Sequence, residues 1–180
     1  LYALQMKGYT YVYTGDGKGK TTASLGVALR ASGYGKKTLI IQFVKDPDWF
    51  SGERKAIEKI DNIDIIATGK GFVGIMGDKL PFKEHQKAAK KALELAEKEM
   101  LSERYDLLIL DEINVALRLG LLDVDDVIKL LQKKPEKLNL ILTGRNADLI
   151  IIEMADLVSE IKMIKHYFKE GIPAIQGIEY

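Results

Sequence analysis

A short polar stretch near the start of the chain has the residue types of a phosphate-binding loop. Its glycines let several backbone N–H groups turn toward one point, where they can bind the oxygens of a phosphate. Lys20 can reach the outer phosphates of a nucleotide, and the hydroxyl of Thr21 is a ligand that Mg²⁺ accepts. The candidate nucleotide-binding residues of this stretch are Thr14, Gly15, Asp16, Gly17, Lys18, Gly19, Lys20, Thr21 and Thr22.

The residues on either side of this stretch predict the elements that would position it. Tyr9–Tyr13 is rich in β-favouring residues and predicts a strand, and the pattern from Lys20 to Ser32 predicts a helix. Thr14 stands where the usual motif has glycine, so the match is a variant. A flexible surface loop of glycine and lysine is the alternative, and the strand-loop-helix context argues against it.

A pair of acidic residues follows a second apolar run. Leu107–Leu110 predicts a buried strand, and Asp111 and Glu112 come directly after it. In nucleotide-binding proteins a carboxylate at the end of such a strand meets Mg²⁺ directly or through water. Four leucines and isoleucines before two acids are a weak signal alone. Together with the phosphate-binding stretch upstream they predict a site for Mg²⁺ and a nucleotide.

The rest of the chain alternates between apolar runs and amphipathic patterns. Near-continuous apolar runs are typical of parallel strands that are covered on both faces. The predicted strands are Tyr9–Tyr13, Thr38–Val44, Asp64–Ile66, Leu107–Leu110, Leu138–Leu142 and Leu157–Ile164. The predicted helices are Lys20–Ser32, Gly52–Ile60, Phe82–Arg104, a helix capped by Asp123, and Leu149–Met154. This order predicts one α/β domain over residues 8–180, with a mostly parallel six-stranded sheet, helices on both faces and ligands at the carboxyl ends of the strands.

Composition limits the classes of partner and compartment. Among 180 residues, 27 basic side chains nearly balance 26 acidic ones, so the total charge favours neither nucleic acid nor a membrane as partner. There is no cysteine, and no apolar run approaches the roughly 20 residues of a membrane span. We therefore expect a cytoplasmic protein. Residues 1–7 include a methionine at position 6, and we expect them to be a non-native remnant or a flexible N-terminus.

One segment, Thr68–Pro81, fits neither a strand nor a plain linker. Its four glycines surround Phe72, Val73, Ile75 and Met76, which have no periodic element in which to bury their side chains. Glycine permits large changes of backbone conformation. We expect the segment to be mobile until a ligand covers its apolar side chains.

Ten separated matches, in order along the chain, give a resemblance to a known family. They are Thr14–Thr22, Arg30, Gln42–Lys45, Gly52–Arg54, Gly71–Phe72, Leu110–Glu112, Thr143–Arg145, Ala155–Val158, Lys165–His166 and Gly171–Glu179. From Gly8 to Tyr180 the chain resembles the P-loop type of ATP:corrinoid adenosyltransferases, which act on cob(I)alamin or cob(I)yrinic acid a,c-diamide. The resemblance implies a P-loop NTPase-like (RecA-like) architecture.

The resemblance also implies a reaction. Co(I) of a reduced corrinoid would attack C5′ of ATP and expel triphosphate, while the nucleotide lies in the loop in the direction opposite to that of ordinary ATPases. Lys20 would stabilise the leaving group. Thr21 and Glu112, with Asp111, would hold Mg²⁺. The implied partners are ATP, the corrinoid acceptor, an external reductant for Co(II) and a second copy of the chain in a homodimer. The nucleotide-binding residues implied outside the loop are Arg30 and Arg145.

Phe72 is the implied catalytic aromatic residue, and its surroundings depart from the family pattern. The family's Gly-Phe-Thr-Trp places two aromatic rings beneath the corrin, where they displace the lower axial ligand and make Co(II) easier to reduce. Here the sequence is Gly71–Gly74, with glycine in the place of the tryptophan. Ile75, Met76 or Trp49 would replace that ring. In the alternative interpretation, Phe72 only pins its loop.

Two other functions fit the same residues. In an ordinary P-loop ATPase or small-molecule kinase, Glu112 would orient water or a hydroxyl group and Arg145 would stabilise the γ-phosphate. In a non-catalytic binding module gated by nucleotide, Thr68–Pro81 would grip a partner protein. The product distinguishes the first from adenosyl transfer, and the absence of turnover with reduced corrinoid distinguishes the second.

Overall fold

The computed structural model describes residues 7–75 and 77–179. Residues 1–6, which make up most of the expected N-terminal remnant, lie outside the described residues, as do Met76 and Tyr180. The strands are β1 Thr10–Thr14, β2 Thr38–Gln42, β3 Ile63–Ala67, β4 Leu107–Asp111, β5 Asn139–Thr143 and β6 Leu157–Glu160. The α-helices are α1 Lys20–Ser32, α2 Gly52–Ile57, α3 Phe82–Leu101, α4 Ile113–Arg118, α5 Val124–Gln132 and α6 Leu149–Met154, and a 3₁₀ helix spans Tyr167–Glu170.

The six strands form one sheet in the order β3-β2-β4-β5-β1-β6, and every neighbouring pair is parallel. The predicted α/β class and strand number are therefore confirmed, and the sheet is wholly parallel. Parallel strands share one carboxyl edge, so the loops that follow β1, β2, β4 and β5 lie side by side. This edge is where α/β sheets bind their ligands.

Helices cover both faces of the sheet because successive side chains of the central strands point to opposite sides. In β4, Leu108 and Leu110 join a core with α3, α4 and α5, while Ile109 joins a second core on the other face. That second core includes Ala28 of α1 and Ile57 of α2. None of the helices described is long and apolar enough to cross a membrane.

The C-terminal strand is shorter than predicted. It ends at Glu160 and not at Ile164. Among the strands described, β6 pairs with β1 alone, and this pairing ends at Thr14 and Glu160. Ile161 still donates its N–H to the Thr14 carbonyl (2.8 Å), and the chain then leaves the sheet.

Two short helices had no prediction. Helix α4 begins directly after the acidic pair, and the 3₁₀ helix lies in the segment for which no periodicity was found. The helix predicted after Asp123 is present. Asp123 occupies its N-cap position, but its side chain accepts no capping hydrogen bond.

Candidate active site

The loop between β1 and α1 is held against the chain that follows β6. The N–H of Gly17 donates to the carbonyl of Ile161 (2.7 Å). A Cβ on Gly15 would lie 2.4 Å from that carbonyl oxygen, and the φ of Gly15 is +95°, so only glycine fits at this position. The chain that follows β6 therefore fixes the shape of the loop.

Lys20, the first residue of α1, points back into this loop. Its ammonium group donates hydrogen bonds to the carbonyls of Gly15 (2.7 Å) and Gly17. Burial lowers the pKa of Lys20, and the nearby charge of Arg145 lowers it further. Because the positive charges of Lys20 and Arg145 repel each other, an anion bound beside both of them would be stabilised.

Asp111, at the end of β4, is the centre of a buried hydrogen-bond network. Its Oδ1 accepts from the hydroxyls of Thr21 (2.8 Å) and Thr143 (2.7 Å), and its Oδ2 accepts from Nε2 of Gln42 (3.2 Å). The side chain is fully buried. Asp111 thereby ties the start of α1 to the ends of β2 and β5.

Glu112 has a left-handed backbone conformation, with φ +63°, which turns its side chain toward the loop cavity described below. Its N–H donates to Oγ1 of Thr143 (2.9 Å). Burial, together with the neighbouring charge of Asp111, raises the pKa of Glu112 to about 7. A carboxylate that is costly to ionise by itself is stabilised when a cation binds beside it.

These groups surround a cavity of about 430 Å³, which we call the phosphate-loop cavity. Four cationic side chains and the carboxylates of Glu53, Glu112 and Glu179 line it, together with the Thr21 hydroxyl. The cations are Lys18, Lys20, Lys45 and Arg145. A cluster of three or more acidic or histidine side chains that could hold a metal ion by themselves does not occur within 7–75 and 77–179. Lys18 and Lys45 are paired with Glu179 and Glu53, so the positive charge beyond these pairs comes from Lys20 and Arg145. That charge suits a polyanion, and any metal would share its ligands with the anion.

The structure brings most of the predicted site residues together. Gly17 to Thr22, Glu112 and Arg145 line the phosphate-loop cavity, and Asp111 lies behind it in contact with Thr21. Gly15 does not line the cavity but packs against Ile161, and exposed Asp16 does not line it either.

Two predicted nucleotide-binding residues lie away from the cavity wall. Thr14 is buried at the end of β1, and its hydroxyl accepts from the N–H of Ala147 (3.1 Å), so it fixes the loop after β5. Arg30 is exposed in the last turn of α1, about 15 Å along the helix from Lys20. The structure does not bring Arg30 into the wall, and its contact with a nucleotide stays a prediction.

Several parts of the wall were not predicted as site residues, and two of them carry charged side chains. Lys45, after β2, forms an ion pair with Glu53 of α2. Burial acts to raise the pKa of Glu53, but the hydrogen bond from Lys45, a backbone hydrogen bond, the charge of Lys45 and the Ser51 hydroxyl together outweigh it, and the pKa is lowered. Gly177 to Glu179 form the other part. Both sets belong to segments that carried the family resemblance, and that resemblance was the signal in the sequence that could have identified them as site residues.

A second cavity, of about 570 Å³, lies beside the first, and we call it the aromatic cavity. Trp49, Phe50 and Phe72 line it, and Lys18 and Glu179 line both cavities. The rings of Trp49 and Phe72 are 5.0 Å apart between centroids and tilted by 60°. Of the three candidates to accompany Phe72, Trp49 is therefore in contact with it, Ile75 is exposed and Met76 lies outside the described residues.

Comparison with known proteins gives one consistent family. The profile described as "ATP:corrinoid adenosyltransferase BtuR/CobO/CobP" matches residues 6–180. A corrinoid adenosyltransferase of a Sinorhizobium species is 41% identical over 97% of this chain and 81% of its own length. The corrinoid adenosyltransferase of Escherichia coli K12 is 34% identical over 97% of this chain and 86% of its own length.

Among solved structures, the chain is similar to a KaiC-like protein, PH0186, from Pyrococcus horikoshii OT3. The TM-score is 0.50 with 16% sequence identity, over 86% of this chain and 72% of that one. At this identity the similarity concerns the fold alone.

Proposed function

The chain belongs to the ATP:corrinoid adenosyltransferase family and catalyses the ATP-dependent adenosylation of corrinoids in cobalamin biosynthesis, and from that premise we propose how its residues divide the work. The phosphate-loop cavity binds the triphosphate of ATP, and the aromatic cavity binds the corrinoid. The observation that carries this assignment is that the two cavities adjoin at Lys18 and Glu179. A transfer from one bound molecule to another requires such neighbouring sites.

The reaction requires little acid or base catalysis from the protein. Co(I) supplies the electron pair of the new Co–C5′ bond, the C5′–O bond breaks, and the triphosphate leaves with that bond's electrons. The nucleophile carries no proton that must be removed. The protein's contributions are to hold C5′ in line with cobalt and to stabilise charge on the leaving group. The loop N–H groups, Lys20, Lys45 and Arg145 are placed for the second contribution.

Mg²⁺ fits the donors that this cavity offers. The Thr21 hydroxyl donates its proton to Asp111, which leaves its oxygen lone pairs free for a metal in the cavity. Glu112 contributes a carboxylate whose raised pKa a cation would lower. Thr21 and Glu112 would hold the ion, and Asp111 would orient Thr21. The bound ion would neutralise part of the triphosphate charge.

The aromatic cavity suits a large, flat and mostly apolar acceptor. Phe72 would pack beneath the corrin ring, and Trp49, in contact with it, would take the place of the ring that Gly74 lacks. Both rings are about half exposed, so they have apolar surface left to bury against a ligand. Displacement of the lower axial ligand by Phe72 would let an external reductant deliver the electron that converts Co(II) to Co(I).

Three further features complete this proposal. We propose that the protein works in the cytoplasm, that it forms a homodimer, as the family resemblance implies, and that its partners include neither nucleic acid nor a membrane. The near balance of 27 basic and 26 acidic side chains supports the last of these.

Product analysis under anaerobic conditions tests the proposal. The protein is incubated with ATP, Mg²⁺ and chemically reduced cobalamin, and the Co–C bond is followed by its absorbance. We expect one triphosphate for each Co–C bond formed. ADP and phosphate in place of triphosphate would instead indicate an ordinary ATPase or kinase, and ATP binding without turnover would indicate a binding module.

A further inference from the structure

The segment 171–179 returns to the phosphate loop at its end. It follows the 3₁₀ helix and is mostly exposed, and its last described residues, Gly177, Ile178 and Glu179, line the phosphate-loop cavity. The Glu179 side chain is only 7% exposed, although neighbouring side chains such as Ile178 are open to solvent. This carboxylate is therefore placed within the site.

Glu179 has two partners there. It forms an ion pair with Lys18 of the phosphate loop, and it accepts a hydrogen bond from the Tyr167 hydroxyl. The hydrogen bond from Lys18, followed by that from Tyr167, lowers the pKa of Glu179. The group is therefore an anion at neutral pH.

Both lysines of the loop thus have acceptors inside the protein. Lys20 donates to the carbonyls of Gly15 and Gly17, and Lys18 is paired with Glu179. The carbonyls are neutral, whereas Glu179 carries a full negative charge. The triphosphate of ATP brings up to four negative charges into the same cavity, which repel the carboxylate and offer Lys18 a more highly charged partner.

We infer that Glu179 competes with the triphosphate for Lys18. The triphosphate displaces the Glu179 carboxylate from Lys18 when ATP binds, and the carboxylate pairs with Lys18 again as the triphosphate leaves. This inference rests on the proposed function, since it assigns a role within the same site. Glu179 and Lys18 also form part of the wall that the two cavities share. Opening of the pair therefore removes a barrier between C5′ and the corrinoid at the stage when ATP is bound.

Whether removal of the Glu179 charge tightens or weakens triphosphate binding distinguishes competition from a structural role. If Glu179 competes, Glu179→Gln should bind inorganic triphosphate in the presence of Mg²⁺ more tightly than the wild type, by about fivefold. Calorimetric titration of the full chain measures this dissociation constant. Adenosylation by the variant should be inhibited by added triphosphate at a correspondingly lower concentration. Damage to the loop would change both quantities in the opposite direction.

Two further variants complete the experiment. Glu179→Asp keeps the charge and should return the dissociation constant toward the wild-type value. Glu170→Gln removes one charge from the same part of the chain, where Glu170 pairs with Lys165 at 3.3 Å and is exposed, and it should leave triphosphate binding unchanged. This variant controls for the loss of net negative charge.

Unchanged or weaker triphosphate binding by a folded Glu179→Gln variant would overturn the inference and leave the proposed function intact. Equal tightening by Glu170→Gln would also overturn it, because net charge would then explain the effect. If the wild type bound no triphosphate, the proposed function of the phosphate-loop cavity would fail first.

Discussion

The two adjoining cavities are built in different ways. The phosphate-loop cavity is formed at the ends of strands and the start of a helix, and behind it Asp111 is fully buried with three hydrogen-bond donors. The aromatic cavity is formed by loops, and its rings Trp49 and Phe72 are 49% and 40% exposed. One cavity is supported by the core of the sheet and the other by the surface.

The glycine-rich segment that carries Phe72 shows the same contrast. The N–H groups of Gly69 and Gly71 donate to the carbonyls of Lys45 and Val44, in the loop that follows β2, at 2.9 Å each. Beyond Gly71, Asp78 is the anchor, accepting from the N–H of Gly74 (2.8 Å) and contacting His85 (3.0 Å). A triphosphate is chemically constant and suits a site that is already formed. A corrin is large and apolar, and it can order the surface that it covers.

The largest loss of activity should come from the phosphate-loop cavity. Lys20→Ala should reduce kcat/KM for adenosylation by at least about a hundredfold, because a charge-stabilising contact to a leaving group contributes about 3 kcal/mol. Steady-state kinetics measures it. Lys36→Ala is the control, since Lys36 forms an exposed pair with Asp106 far from the carboxyl edge of the sheet. Near-normal activity of the Lys20 variant would remove the phosphate loop from the mechanism.

A stability comparison should separate the two cavities. Asp111→Ala leaves the buried hydroxyl of Thr143 and the partly buried hydroxyl of Thr21 without their acceptor and should lower the free energy of unfolding by about 3 kcal/mol. Phe72→Ala, at a half-exposed position, should lower it by less than about 1 kcal/mol. Urea denaturation gives both values. Similar losses in the two variants would contradict the contrast between core and surface support.

The aromatic cavity should affect the reduction of cobalt more than the transfer. Phe72→Ala should spare ATP binding and slow adenosylation by about tenfold when the corrinoid is supplied as Co(II) with a mild reductant. The loss should be smaller when Co(I) is supplied ready-made. Trp49→Phe keeps an aromatic ring against Phe72 and is the matched control. Equal losses in both assays, or none in either, would assign Phe72 to pinning its loop.

The smallest expected effect concerns Mg²⁺. Glu112→Gln keeps the shape of the side chain and removes its charge, so half-maximal activity should require about fivefold more Mg²⁺ while the fold persists. A Mg²⁺ titration of adenosylation at saturating ATP measures the shift. An unchanged titration would give Glu112 a structural role in the turn after β4.

The phosphate-loop cavity was largely predictable because local patterns encode it. Strand, glycine-rich loop and helix are consecutive, and Lys20, Thr21 and Glu112 lie at the positions that this pattern defines. Helix α4 escaped prediction because it begins directly after β4 through a left-handed Glu112, for which no glycine gives a signal. The end of β6 depends on where its pairing with β1 stops, and the pairing of two strands distant in sequence is a tertiary property.

The pairs that complete the site were not predictable from periodicity. Lys45 and Glu53 come from a loop and a short helix, and Lys18 and Glu179 are separated by most of the chain. No local pattern records which lysine meets which carboxylate. The contact of Trp49 with Phe72 was one of three possibilities in the sequence, and it required the geometry of two loops to distinguish them.

Hydrogen–deuterium exchange, followed by mass spectrometry, tests the contrast between the cavities most directly. It is measured on the free protein, with ATP and Mg²⁺, and with ATP, Mg²⁺ and a corrinoid. Amides in 107–115 should be protected in all three states, whereas amides in 72–80 should exchange rapidly until the corrinoid is added. Protection of 72–80 in the free protein, or no change on adding the corrinoid, would contradict the account.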